Sequence, residues 1–148
     1  MEVEKTALSG VMLIKPDVYP DDRGFFTESY HERRYREASI DVSFVQDNHS
    51  RSTRGVLRGL HFQITHPQGK LVRAVTGSIW DVAVDMDPAS PTFRSWVGVE
   101  LDDVAHHQLY VPAGYAHGFV TLSATADVSY KCTDFYTPGD EGGDLERP

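Results

Sequence analysis

An all-β barrel or sandwich with one short helix near its N-terminus is the fold that the sequence predicts. Three observations carry this. Short runs rich in Val, Ile, Phe, Thr and Tyr recur from Val42 onward, Gly, Pro, Asn or Asp punctuates them at strand-like intervals, and one early stretch alone combines a helical length with freedom from such breakers. A chain of 148 residues suits a single domain spanning 1–148, because one core of that size buries most of the surface that the unfolded chain exposes.

Gly10-Val11-Met12-Leu13-Ile14-Lys15 is an apolar run stopped by Pro16 and reads as the first strand. Tyr19-Pro20-Asp21-Asp22-Arg23-Gly24 is rich in turn formers, and Phe25 to Tyr30 resumes extended character. His31 to Ala38 contains neither Gly nor Pro, so it is the helix, with Ser29 as its expected cap. Leu71–Val75 and Ile79–Asp85 flank Thr76-Gly77-Ser78, which predicts a tight hairpin. Further strands are expected over 93–101, 108–111, 118–122 and 127–131, about ten in all. Residues 139–148 have no periodicity and read as an exposed or disordered tail. Trp80, Trp96 and Phe119 read as core, Asp81 and Asp85 as exposed or rim carboxylates, and His106 and His107 as loop residues.

The formal net charge of −8 argues against broad nucleic-acid binding, which depends on neutralising many phosphates. The positive charges are nevertheless clustered: Arg51, Arg54, Arg58, Lys70 and Arg73 fall in one stretch, which suits a single basic pocket for an anionic ligand. No run is long and apolar enough to span a bilayer, and the first residues lack a secretion signal. The lone Cys132 agrees with a reducing compartment, so a cytoplasmic setting is expected.

Two segments carry chemistry. In Gly55-Val56-Leu57-Arg58-Gly59-Leu60-His61-Phe62-Gln63, strand alternation sets His61 on the face of Gly59 and Gln63, with Arg58 close by. In Tyr110 to Phe119, the Pro112-Ala113-Gly114 turn leads into a strand that brings His117 to a barrel mouth. Both segments resemble the paired motifs of cupins, which implies a jelly-roll barrel. Metal-binding cupins place a second histidine where this chain has Gln63, an acidic ligand where Lys70 stands, and an Asn where Thr121 stands. A lysine in a ligand position repels a cation, so no metal is expected.

The chain as a whole resembles the dTDP-4-dehydrorhamnose 3,5-epimerase family. The matching stretches run in order from Asp22-Arg23-Gly24-Phe25-Phe26-Thr27-Glu28 through Phe44 to Ser50, Gly55 to Gln63 and Pro67 to Arg73. They continue with Asp81 to Asp85, Ser90 to Phe93, Pro112 to Val120 and Tyr130 to Tyr136. The resemblance implies epimerisation at C3, C5 or both of a dTDP-linked 4-keto-6-deoxyhexose. A proton beside the ketone leaves, an enolate forms, and the carbon is reprotonated on the opposite face, with no cofactor required.

His61 then corresponds to the base, Lys70 to the partner of the enolate oxygen and Tyr130 to the acid, with His117 in the same pocket. Arg58 corresponds to the diphosphate-binding residue, assisted by Gln46 and Asn48. Arg23, Phe26 and Glu28 match positions that meet the nucleotide across a homodimer with exchanged N-terminal strands. One feature departs from the pattern. The family orients its catalytic histidine with an aspartate beyond the tyrosine-rich stretch, for which the sequence to Pro148 offers no counterpart; Asp81, Asp85 or another acid would have to substitute. The competing expectation is a cupin that binds a sugar nucleotide without turnover, or one turned to another isomerisation or cyclisation.

Overall fold

The computed structural model of the protein describes residues 1–142. Thirteen strands and one helix are formed among them. The strands are β1 (Glu2–Lys5), β2 (Met12–Lys15), β3 (Val18–Asp21), β4 (Gly24–Thr27), β5 (Gln46–Thr53), β6 (Leu57–Gln63) and β7 (Lys70–Thr76). They continue with β8 (Ser78–Asp85), β9 (Trp96–Asp102), β10 (Gln108–Val111), β11 (Tyr115–Thr121), β12 (Thr125–Cys132) and β13 (Glu141–Gly142). Helix α1 is Glu32–Glu37 and follows β4.

Two antiparallel sheets face each other as a jelly-roll barrel, one in the order β1-β2-β10-β7-β12-β5 and the other β13-β6-β11-β8-β9. β3 and β4 form a separate hairpin that pairs with neither. Inward positions from both sheets make the main core, which contains Val72, Ala74, Ile79, Ala83, Leu109 and Val128. A second cluster forms on the outer side of the six-stranded sheet, where Tyr35 of α1 and Ile40 pack on Met12, Ile14, Leu71 and Tyr110. Burial of such side chains contributes about 1.5–3 kcal/mol each, which is why α1, only six residues long, is stable through packing rather than propensity.

Four expectations are corrected. His31 rather than Ser29 caps α1, its side chain accepting from the backbone N–H of Arg34; the Ser29 carbonyl is taken instead by Tyr35 and Gln108. The turn at Thr76-Gly77-Ser78 is not a hairpin, since β7 pairs with β10 and β12 while β8 pairs with β11 and β9. The chain crosses there from one sheet to the other. Gly77 makes the crossing feasible: its φ is +76°, and a Cβ would lie 2.3 Å from the carbonyl oxygen of Thr125.

Trp80 and Trp96 are 39% and 62% exposed, whereas Phe119 is buried as expected. The cause is the parity of β8, whose inward residues are Ile79, Asp81, Ala83 and Asp85, so Trp80 points out and both aspartates point in. Finally, part of the supposed tail is paired: Glu141 and Gly142 add β13 to the edge of β6, and the Asp140 carboxylate accepts from the backbone N–H groups of Thr65 and His66 at 2.8 Å each. Residues 143–148 of that tail lie outside the described residues.

Candidate active site

The clustered cations are sorted by strand alternation and by one irregularity. Arg51 lies on the outer face of β5, where it grips Asp127 with its Nε at 2.7 Å, and Arg54 donates to the Leu122 carbonyl. Arg73 lines a separate polar cavity outside the six-stranded sheet. Arg58 and His61, three apart, would face opposite ways in a regular strand. The register of β6 against β11 shifts between them: His61 pairs with His117 and Arg58 with Phe119, so three steps on β6 match two on β11. The extra residue of this bulge turns both side chains into the barrel. Gly59 permits it, because a Cβ there would meet the His117 carbonyl oxygen at 2.6 Å.

His61, Lys70 and Tyr130 are shared walls of two adjoining cavities. The inner one is completed by Ser50, Arg58, His117 and Phe119. The outer one encloses about 570 Å³, part of it open to solvent, and is completed by Asn48, Phe62, Gln63, Gln68, Tyr136 and Glu141. The two sheets contribute different groups. His61 and His117 are neighbours in the five-stranded sheet, while Lys70 on β7 and Tyr130 on β12 come from the six-stranded sheet facing it. A planar molecule between the sheets therefore meets imidazoles from one and an ammonium and a phenol from the other.

Burial pushes the Lys70 ammonium below the usual lysine range, opposed by Cys132, Asp81 and Glu141 nearby. Its Nζ lies 5.6 Å from the centre of the Tyr130 ring. Burial raises the Tyr130 phenol, with Asn48 beside it opposing, so the group keeps its proton at neutral pH. His117 is buried, and its Nε2 donates to the Asp81 carboxylate at 2.7 Å, which fixes the ring and its tautomer. Arg58 is braced by Ser52, its Nε donating to the hydroxyl at 2.8 Å.

The remaining predicted site residues are more scattered. Asn48 lines the outer cavity and contacts the Cys132 sulfur. Gln46 is engaged elsewhere: its amide donates to the Asn48 side chain at 2.9 Å and accepts the backbone N–H of Tyr136 at 3.0 Å. Arg23, Phe26 and Glu28 do not line either cavity. Arg23 pairs with Asp21, Glu28 with Arg34, and Phe26 is 65% exposed on the unpaired hairpin.

Sequence reasoning offered Asp81 as a substitute acid but missed its burial behind His117, because Ile79 to Val84 is apolar on both faces except at position 81 and its parity was ambiguous. It also missed that both acids offered as substitutes are committed: Asp81 to His117, and Asp85 to the hydroxyl of Thr92 at 2.6 Å in its own loop. Among the described residues, no group of three or more His, Cys, Asp or Glu side chains converges as a metal site. Gln63, in the position of a cupin ligand, spends its amide on backbone groups.

Comparison with known proteins gives a consistent result. A family profile described as dTDP-4-dehydrorhamnose 3,5-epimerase matches residues 5–145. The dTDP-4-dehydrorhamnose 3,5-epimerase of Pseudomonas aeruginosa is 56% identical over 142 residues, covering 95% of this chain and 78% of the relative. The crystal structure of dTDP-6-deoxy-D-glucose-3,5-epimerase from Legionella pneumophila, in complex with dTDP-4-keto-L-rhamnose, is similar with a TM-score of 0.92 at 50% identity. That match covers 95% of this chain and 75% of the other. The Bacillus anthracis dTDP-4-dehydrorhamnose 3,5-epimerase with TDP and PPi bound reaches a TM-score of 0.94 at 43% identity, covering 97% and 83%.

Proposed function

Because the chain belongs to the dTDP-4-dehydrorhamnose 3,5-epimerase family, we propose that it inverts C3, C5 or both of a dTDP-linked 4-keto-6-deoxyhexose through an enolate. The observation that carries this is the convergence of His61, Lys70 and Tyr130 on one cavity space from two facing sheets. His61 removes the proton beside the ketone as the general base. The negative charge that develops on the ketone oxygen is met by the Lys70 ammonium and by His117, which Asp81 holds in place. Tyr130, standing in the opposite sheet from His61 and protonated, delivers a proton to the other face of the ring. A base on one side of a planar enolate and a proton donor on the other are what inversion requires.

Arg58 and Asn48, at the cavity wall, take the diphosphate. Arg23, Phe26 and Glu28 act in a second copy's site: the β3–β4 hairpin pairs with neither sheet of its own chain, Phe25 and Phe26 are exposed on it, and β5 is a sheet edge open to addition. The assembly is accordingly a homodimer with exchanged N-terminal strands. A cytoplasmic setting belongs to the same reading and is supported by the single, buried thiol of Cys132.

The test is turnover of dTDP-4-keto-6-deoxyglucose in deuterium oxide, with incorporation followed separately at C3 and C5. Deuterium enters at one or both carbons, and His61→Ala abolishes the exchange. Nucleotide binding without any exchange in the unaltered protein selects the binding-module alternative and ends the enzyme reading.

A further inference from the structure

We propose that Gln63 is a positioning residue whose single amide holds Tyr136 in place as a wall of the substrate cavity. The proposal rests on the function assigned above. Gln63 ends β6, two residues beyond His61, is only 5% exposed and borders the outer cavity beside Tyr136, with its amide turned to backbone groups. Its Nε2 donates to the carbonyls of His66 at 2.6 Å and Phe135 at 3.0 Å, and its Oε1 accepts the N–H of Thr137 at 2.7 Å. Both amide protons and the oxygen are thereby used, and the orientation is fixed, since only nitrogen can face two carbonyls and only oxygen an N–H.

The bonds to Phe135 and Thr137 bracket Tyr136 from both sides along the chain. Tyr136 itself has its N–H bound by Gln46, and it lines the outer cavity together with Asn48 and Lys70. Residues 135–137 belong to no strand or helix, so no ladder of backbone hydrogen bonds holds them. The Gln63 and Gln46 amides hold three of their backbone groups, beside the Asp134 carboxylate on the Phe135 N–H, the Asp140 N–H on the Thr137 carbonyl and Glu141 on the Tyr136 side chain. The third bond, to His66, ties the same amide to the loop between β6 and β7, which joins the strands carrying His61 and Lys70. One buried group thus couples the loop that spaces two reacting residues to the segment that closes the cavity over them. A metal cupin uses this position to hold an ion; here it holds backbone.

The experiment compares Gln63→Met, which keeps the volume and removes all three bonds, with Gln63→Glu, which keeps size and acceptor but removes both donors. Amide hydrogen exchange over residues 133–142 rises in both variants while the β7, β8 and β11 strands stay protected. In the deuterium-incorporation assay KM rises about tenfold for Gln63→Met, with kcat changing far less, as expected for lost positioning of a binding wall. A cycle with Tyr136→Ala separates this from a general loss of stability: the double variant binds no worse than Tyr136→Ala alone. Unchanged exchange over 133–142, or additive effects of the two substitutions on KM, overturns the proposal. Wild-type protein that shows no turnover counts against the assigned function, and the hydrogen-exchange result then decides the role of Gln63 by itself.

Discussion

At the scale of single residues, Lys70 has the clearest consequences. Its ammonium is buried, and burial lowers its pKa from the usual 10.5. If the charged form stabilises the enolate, activity holds while Lys70 is protonated and falls as pH rises through that depressed value. The alkaline limb of kcat/KM is therefore expected below the ordinary lysine range, and Lys70→Met should remove the limb together with about 100-fold or more of the rate. The sign for stability is opposite. Between the folded and unfolded pKa values the unfolded chain binds the proton and the fold does not, so this residue's destabilising effect is present at neutral pH and fades as pH rises. Denaturant midpoints measured across the alkaline range should carry that upward component in wild-type protein and lack it in Lys70→Met. Asp81 acts one step away: Asp81→Asn keeps the shape behind His117 but removes the charge that fixes its N–H, and kcat is expected to fall about tenfold or more with KM little changed.

At the scale of elements, the sequence told strand from turn well and told partner from partner poorly. The strand expected over 108–111 is β10, and those expected over 71–75, 118–122 and 127–131 lie largely within β7, β11 and β12, because Gly, Pro and acidic residues bound them locally. The turn at Gly77 was legible too, but whether it returned the chain to the same sheet was not. That depends on which strands β7 and β8 find elsewhere, namely β10 and β12 against β9 and β11, a non-local fact that no local pattern contains. The parity of β8 failed for a related reason, since a strand apolar on both faces does not say which face the core will take. The convergence of Arg58 with His61 depended on a bulge paired to β11 and was invisible for the same reason. The meeting of His61, Lys70 and His117 was legible because cupin-like motif spacing marks them individually, and that of Tyr130 because its stretch resembles the epimerase family. Gly77→Ala tests the crossover reading: a positive φ and a Cβ 2.3 Å from a carbonyl oxygen predict destabilisation of about 3 kcal/mol, seen as a lower urea midpoint at unchanged m. A hairpin with room at that position would lose much less. On the outer face of β12, Asp127 is held down to about 2 by Arg51 and His49. Arg51→Ala should raise it toward the ordinary carboxylate value, which a carboxyl-resolved NMR titration reads directly. The stabilisation from that carboxylate, present above the unfolded pKa, is then lost at higher pH during acidification.

At the scale of the whole molecule, the described chain brings His61, Lys70, Tyr130 and His117 to adjoining cavities and leaves three of the residues matched to nucleotide binding outside them. Phe26, Arg23 and Glu28 sit on or just after a hairpin that has its own two strands and no sheet to join. An exposed pair of phenylalanines and an open edge at β5 are features a protein normally covers. In the proposed exchange of hairpins between two copies, both would be covered and those three residues would be brought to the cavity, so each site would take His61 from one chain and Phe26 from the other. That arrangement has a quantitative signature. His61→Ala and Phe26→Ala proteins, each nearly inactive alone, are unfolded together, refolded at equal concentration and assayed for deuterium incorporation. Random pairing makes about half of the dimers mixed, and each mixed dimer has one site with both defects and one with neither. About a quarter of wild-type activity should return. If each chain builds its site from its own hairpin, every site keeps one defect and mixing restores nothing.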